Sequence, residues 1–153
     1  MREMSAAEYR DKMMRLAQTE IPKETKQFLK VETQKLRRRL ISQSQVVPVS
    51  QRPERKAPPR HLKYHDSFKA GKTYKYNDSL SKRVYNASRH GHFVEHGRPV
   101  AKYYIKKHGY KHAPKIGQSK HYAVYRAVEP SFKREFDKDC LSWLDKVVDE
   151  GLL

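Results

Sequence analysis

Along the first forty residues, apolar side chains fall at Met13, Leu16, Ile21, Phe28, Leu29, Leu36 and Leu40. They recur mostly at steps of three, four and seven, which line up on one side of a helix. Ser5 and Glu8 stand three apart at its start. That is the spacing of a capping box, in which a hydroxyl and a carboxylate each satisfy an orphan amide. Pro22 has no amide hydrogen, so it should kink this helix or split it in two. The cluster Lys35, Arg37, Arg38 and Arg39 sits where a helix C-terminus would favour cations. Solvation and that dipole explain the cluster as well as a binding role does.

The pattern then changes twice. Residues 42–61 carry Ser-Gln repeats and Pro48, Pro53, Pro58 and Pro59 without periodicity, and read as an extended arm or linker. From Leu62 onward, short runs rich in Tyr, Val and Phe predict strands at Thr73–Tyr76, Lys82–Ala87 and Val100–Ile105. In the second of these, Arg83, Tyr85 and Ala87 share one face, and Val84 and Asn86 share the other. The last segment is helical again, with Val124, Val128, Phe132, Phe136, Cys140, Leu144 and Val147 stepping by four or three. Pro130 marks a break there, and Ser131 could cap the second part. Trp143 lies just off the stripe and reads as a packing residue. The organisation is a helical segment 1–41, the arm 42–61 and a core 62–153, with the first and last forming one domain. The fold class is α+β: a kinked N-terminal helix and a small, mainly antiparallel sheet, covered by the C-terminal helix.

Composition bounds what such a chain can do. With 153 residues and 37% apolar content, it can bury a modest core, which argues against a large enzyme with a deep pocket. The longest uncharged stretch, Leu40 to Gln51, is polar and holds Pro48, so no membrane span is expected. The N-terminus lacks an apolar signal-peptide core, and a cytoplasmic setting is expected. The single cysteine, Cys140, leaves no internal disulfide and no cysteine-based metal site. It lies on the apolar stripe, where an inert packed thiol is the default.

Charge adds a partner. The net charge is +17, and residues 52–126 hold 19 of the 34 bases but only 4 of the 17 acids. Within them, Lys102, Lys106, Lys107, Lys111 and Lys115 alternate with Tyr103, Tyr104, Tyr110, His108 and His112. Cations neutralise phosphates and rings stack on unpaired bases, so this segment suits a polyanion. An acidic protein surface would be served by the same residues. No helix-turn-helix, ribonucleoprotein or KH signature accompanies it.

The run His92-Phe93-Val94-Glu95-His96 has the H-x-x-E-H spacing of inverted zinc peptidases, whose two histidines share a helix face. Gly91 and Gly97 leave little helix to hold such a site, and a third ligand would have to come from the C-terminal helix. No G-x-S-x-G elbow, phosphate-binding glycine loop or dinucleotide fingerprint is present. No cofactor, metal or catalytic residue is therefore expected.

The run Val84-Tyr85-Asn86-Ala87-Ser88-Arg89-His90-Gly91-His92-Phe93-Val94-Glu95-His96-Gly97 resembles the central signature of a tailed-bacteriophage family. This is the family of small head–tail joining, tail-completion or neck proteins. Its members carry a "Leu-x-x-Ser-hydrophobic" segment, which Leu62 to Phe68 resembles with one additional residue in the spacing. The "His-hydrophobic-hydrophobic-Glu-x-Gly" element is matched by His92, Glu95 and Gly97. Lys120-His121-Tyr122 through Ala127 resembles the aromatic and alanine lead-in to the family's last helix. The resemblance follows element order over residues 5–149, with close matches at 62–97; the proline-rich arm and the segment 98–118 depart from it.

This resemblance implies a non-enzymatic virion protein in a homo-oligomeric ring, six- or twelve-fold, at the head–tail junction. It would be assembled in the bacterial host cytoplasm. Its partners would be copies of itself, neighbouring connector and tail proteins, and passing DNA, with no membrane. Ser67, Asn86, His92, Glu95 and Gly97 would be structural, Glu95 as an acid held by neighbouring cations and Gly97 at a tight turn. A basic nucleic-acid-binding protein of ribosomal or nucleoid type is the competing reading.

Overall fold

The computed structural model describes residues 5–47, 64–88, 91–97, 99–101, 115–118 and 120–152. At its start the capping box forms as read. The Ser5 amide donates to Glu8 Oε2 at 2.8 Å, and the Glu8 amide donates to Ser5 Oγ at 3.2 Å. The Ser5 amide, ahead of the Ser5 hydroxyl, holds the Glu8 carboxyl below its ordinary pKa. Helix α1 (Ala6–Arg15) passes through a π-helical turn, Leu16–Glu20, into α2 (Ile21–Gln45). A proline ring crowds the carbonyl four residues back, and a widened turn relieves that clash. The expected kink or split at Pro22 thus takes the form of a local widening just before it.

Helix α2 carries on through Ser42–Gln45, so these residues belong to a helix and not to an arm. The burial of Leu40 and Ser44 on it, and of Val47 just past its end, explains the extension, because tertiary packing overrides weak local propensity. Lys35 to Arg39 accordingly sit inside the helix and not at its C-terminal end. Residues 48–61 of the expected arm lie outside the described residues.

Strands β1 (Phe68–Ala70) and β4 (Val84–Asn86) are hydrogen-bonded neighbours, as are β2 (Tyr74–Tyr76) with β3 (Ser79–Ser81) and β5 (Pro99–Ala101) with β6 (Lys115–Gln118). The short helix α3 (Gly91–His96) follows β4, and α4 (Val124–Leu152) ends the chain. The β2–β3 and β5–β6 pairs are antiparallel, the latter with an irregularity between Val100 and Ala101. The class is α+β, built from small antiparallel pairs with the C-terminal helix packed on them. Strand β3 was not expected from Ser-Leu-Ser. A two-residue turn at Asn77 and Asp78, with φ of 47° and 59°, folds it back onto β2. Both turn residues take the left-handed angles of a type I′ hairpin. The strand expected at Val100–Ile105 is Pro99–Ala101 among the described residues, and 102–105 lie outside them.

Helix α4 does not break at Pro130; the proline is inside it, and Ser131 is an interior residue with no cap to make. Pro130 and Arg126 are both exposed, so water can take the Arg126 carbonyl that loses its helical partner. Among the described residues, no helix is long and apolar enough to cross a membrane.

The chain divides into two compact units. The first gathers Met1–Arg38, Ala70–Tyr85 and Pro130–Leu153, the second Arg39–Lys69 and Asn86–Glu129. In the first, the Phe28 ring lies 5.1 Å from Trp143, stacked, and 5.6 Å from Phe136. Trp143 is thus a packing residue, and the apolar stripe runs Phe136, Cys140, Trp143, Val147. Leu144, expected on that stripe, is 42% exposed and points elsewhere. The second unit buries Leu40, Tyr64, Phe68, Val94, Val124 and Val128.

Ser44 and His65 meet in this second unit. The Ser44 hydroxyl donates its hydrogen to the Ile41 carbonyl at 2.7 Å, so its oxygen accepts from His65 Nδ1 at 3.0 Å. Burial pushes the His65 pKa below its ordinary 6.5, against a smaller opposite pull from Asp66. A depressed histidine pKa means the unfolded chain binds the proton more readily, so stability is full above pH 6.5 and falls as pH drops below it. Urea unfolding at pH 7.5 and 5.5 should show a lower midpoint at the acidic pH. His65→Gln should shrink that difference.

Candidate functional site

The resembling residues converge in the second unit around the end of β4, helix α3 and the start of α4. The Ala87 amide donates to the Ser67 carbonyl at 2.8 Å, which joins the two halves of the signature. Ser67 itself is fully buried. Asn86 works in both directions: its Nδ2 donates to the Tyr64 carbonyl at 2.9 Å, and its Oδ1 accepts from the Ser88 amide at 2.9 Å. A carboxamide is the side chain that can donate to one strand and cap the next turn simultaneously. Gly91 packs against it so closely that an added Cβ would meet the Asn86 Cβ at 3.2 Å.

Glu95 holds the entrance of α4. Its Oε1 accepts from the Tyr125 amide at 3.0 Å. Ala123, the residue before the helix, has a positive φ of 46° and no side-chain oxygen to offer as a cap. A carboxylate from α3 therefore fills the place of a local cap, at the positive end of the α4 dipole. Among the described residues, a backbone amide holds Glu95, where neighbouring cations were expected. Beside it, the Val94 carbonyl accepts from the Tyr122 amide at 2.8 Å. Gly97 ends α3 with φ of 71°, and its amide donates to the Phe93 carbonyl at 2.8 Å. That left-handed ending is the tight turn expected of this glycine.

The Glu95 charge reaches two phenols. Burial first, then Glu95, pushes the Tyr125 pKa up to about 12, against a smaller pull from a backbone hydrogen bond at Asn86. Tyr64 is raised further, for the same two reasons in the same order. Its hydroxyl is buried and has no hydrogen-bond partner among the described residues. Sequence reasoning had no signal for this tyrosine, whose neighbours come from three separate segments.

His92 and His96 are exposed, one turn apart on α3, with ring centroids 4.8 Å apart. They border an open cleft of about 510 Å³ together with Asn86, Glu95, Arg126 and Glu129. Among the described residues, no group of three or more His, Cys, Asp or Glu side chains is placed to hold a metal ion. Lys102, Lys106, Lys107 and Lys111 lie outside the described residues, and Lys115 opens β6.

Replacing Glu95 by alanine should cost about 1–2 kcal/mol, the range of a lost helix cap with its dipole interaction. Glu95→Gln should cost less than half of that, because an amide oxygen still accepts from Tyr125. Thermal unfolding of the two variants checks both. Comparisons of this chain with protein-family models, curated proteins and solved structures find no match.

Proposed function

We propose that this chain is a structural protein of a tailed-phage virion, belonging to the head–tail joining or tail-completion family. In this reading it forms part of a homo-oligomeric ring at the head–tail junction. The observation that carries the reading is the employment of Glu95, the sharpest residue of the resemblance. It ties α3 to the start of α4. Ser67, Asn86 and Gly97 make further joints of the same framework. A set of residues whose hydrogen bonds are spent on holding backbone together suits a building block better than a reaction centre. The protein is then no enzyme, and needs no cofactor. Its partners are its own copies, adjacent connector and tail proteins, and DNA passing the basic segment. Each contact can be weak, because contacts multiply around a ring.

The charge of +17 favours a second reading, a basic nucleic-acid-binding protein of ribosomal or nucleoid type. Mass measurement in solution at low and high salt separates the two. The ring reading expects a defined multimer, six- or twelve-fold. A lone subunit at both salts, gripping RNA with an affinity that falls steeply as salt rises, would favour the second reading and end the first.

A further inference from the structure

Two surfaces of the first unit have no partner among the described residues, and their chemistries are complementary. One is the β2–β3 hairpin. Its residues alternate, with Tyr74 opposite Ser81 and Tyr76 opposite Ser79 on one face, and Lys75 opposite Leu80 on the other. Leu80 is half-buried and lines a groove with Ile21, Pro22 and Lys75, which Tyr74 borders as well. The other face presents Tyr74 and Tyr76 to solvent, 45% and 65% exposed. Lys72 precedes β2 and Arg83 follows β3, beside this face, and among the described residues no carboxylate pairs with either. Nearby, the Arg83 guanidinium sits over the exposed Tyr85 ring, 5.4 Å from its centre. The surface is aromatic at its centre and cationic at its rim.

The second surface is the outer side of α4. Because Trp143 and not Leu144 continues the buried stripe, Leu141, Leu144 and Val148 fall on a different side of the helix, about a quarter-turn away. Leu141 is 66% exposed and Leu144 42%. Asp145 and Asp149 flank them, and neither has an ion-pair partner among the described residues. Lys138 borders the patch toward its N-terminal end. Lys146 is directed away from it and pairs with Glu150 at 3.6 Å. This surface is apolar at its centre and acidic at its rim.

We infer that the β2–β3 hairpin of one copy docks on the Leu141–Leu144–Val148 face of α4 in the next copy. The contact is head-to-tail, because it joins two different patches, and repeated head-to-tail contacts close into rings when the rotation allows. It rests on the ring reading and supplies its interface. Tyrosine buries large area at low entropic cost, and an opposite-charge rim selects the partner and its register. A single-stranded nucleic acid on the tyrosine face is the competing occupant; it would ignore the α4 patch entirely.

A charge exchange tests the assignment. One variant carries Lys72→Glu and Arg83→Glu, the other Asp145→Lys and Asp149→Lys; all four side chains are exposed. Each variant alone meets like charge at every contact, and its assembly should weaken about tenfold or more. Mixed in equal amounts, they meet opposite charge at every contact, and assembly should return in an alternating arrangement. Sedimentation of each variant and of the mixture reads both effects, and recovery in the mixture also shows that the variants fold. If the native chain assembles and both variants assemble equally well, this interface is wrong while the ring reading stands. If the native chain stays a single subunit, both are wrong. Loss of assembly only in the hairpin variant, with loss of binding to a poly-dT oligonucleotide and no rescue on mixing, would assign the tyrosines to nucleic acid.

Discussion

Phe68→Ala should destabilise the protein by about 3–4 kcal/mol, within the range for emptying a buried phenylalanine site. Phe68 is fully buried at the start of β1. Its ring lies 5.5 Å from Tyr64, edge-on, and 5.9 Å from Tyr125. Both neighbours are large and fixed by other bonds. The Tyr64 carbonyl takes the Asn86 side chain, and the Tyr125 amide donates to Glu95. Those bonds anchor the two backbones, which limits how far the rings can move into the space, so most of the cavity should persist. The variant should also weaken the link between β1 and α4, because the Phe68–Tyr125 contact joins them. Urea unfolding followed by circular dichroism checks the magnitude, and a loss below about 1 kcal/mol would mean that the neighbours close the gap. Phe68→Leu should recover more than half of the loss, since it refills most of the volume.

The sequence made the helices readable where local chemistry decided them. Ser5 and Glu8 predicted their own bonds, because a capping box is satisfied within four residues. The alternation in β4 was equally plain: Arg83 and Tyr85 are exposed, while Val84 and Asn86 are half-buried. Most of the features that escaped depended on distant partners. Strand β3 escaped for a local reason: Ser-Leu-Ser has little strand propensity, and it pairs because Asn77 and Asp78 take the left-handed angles that turn it back onto β2. Helix α2 outruns its polar end because Leu40, Ser44 and Val47 are buried by other segments. Pro130 is tolerated within α4 because the helix has packing on both sides of it, at Val128 and at Phe136. For the candidate site, the turn at Gly97 was legible from residue type alone. The role of Glu95 as a cap on α4 was not, since its partner amide is thirty residues away.

Lys35→Met should produce the other large loss, about 2–3 kcal/mol. Glu32 is buried on α2, and its Oε1 accepts from Lys35 Nζ at 2.8 Å. The same ammonium donates to Asp139 Oδ2 on α4 at 2.6 Å. The bond to Asp139, then that to Glu32, raises the Lys35 pKa, so this contribution is complete at neutral pH and, as pH rises, is lost in strong alkali. Removing one member of a buried pair costs about 3–5 kcal/mol, because the other charge stays buried without compensation. Lys35 is partly exposed, and water will screen the remaining carboxylates, which sets the lower figure. The other Glu32 oxygen already has no hydrogen-bond partner among the described residues, so the variant would leave the whole carboxylate unanswered. The decisive comparison is the double variant Glu32→Met with Lys35→Met. If the cost comes from a stranded charge and not from lost helix contacts, the second substitution should restore most of the stability that the first removes. A double variant no more stable than Lys35→Met alone would instead assign the loss to the contact with Asp139.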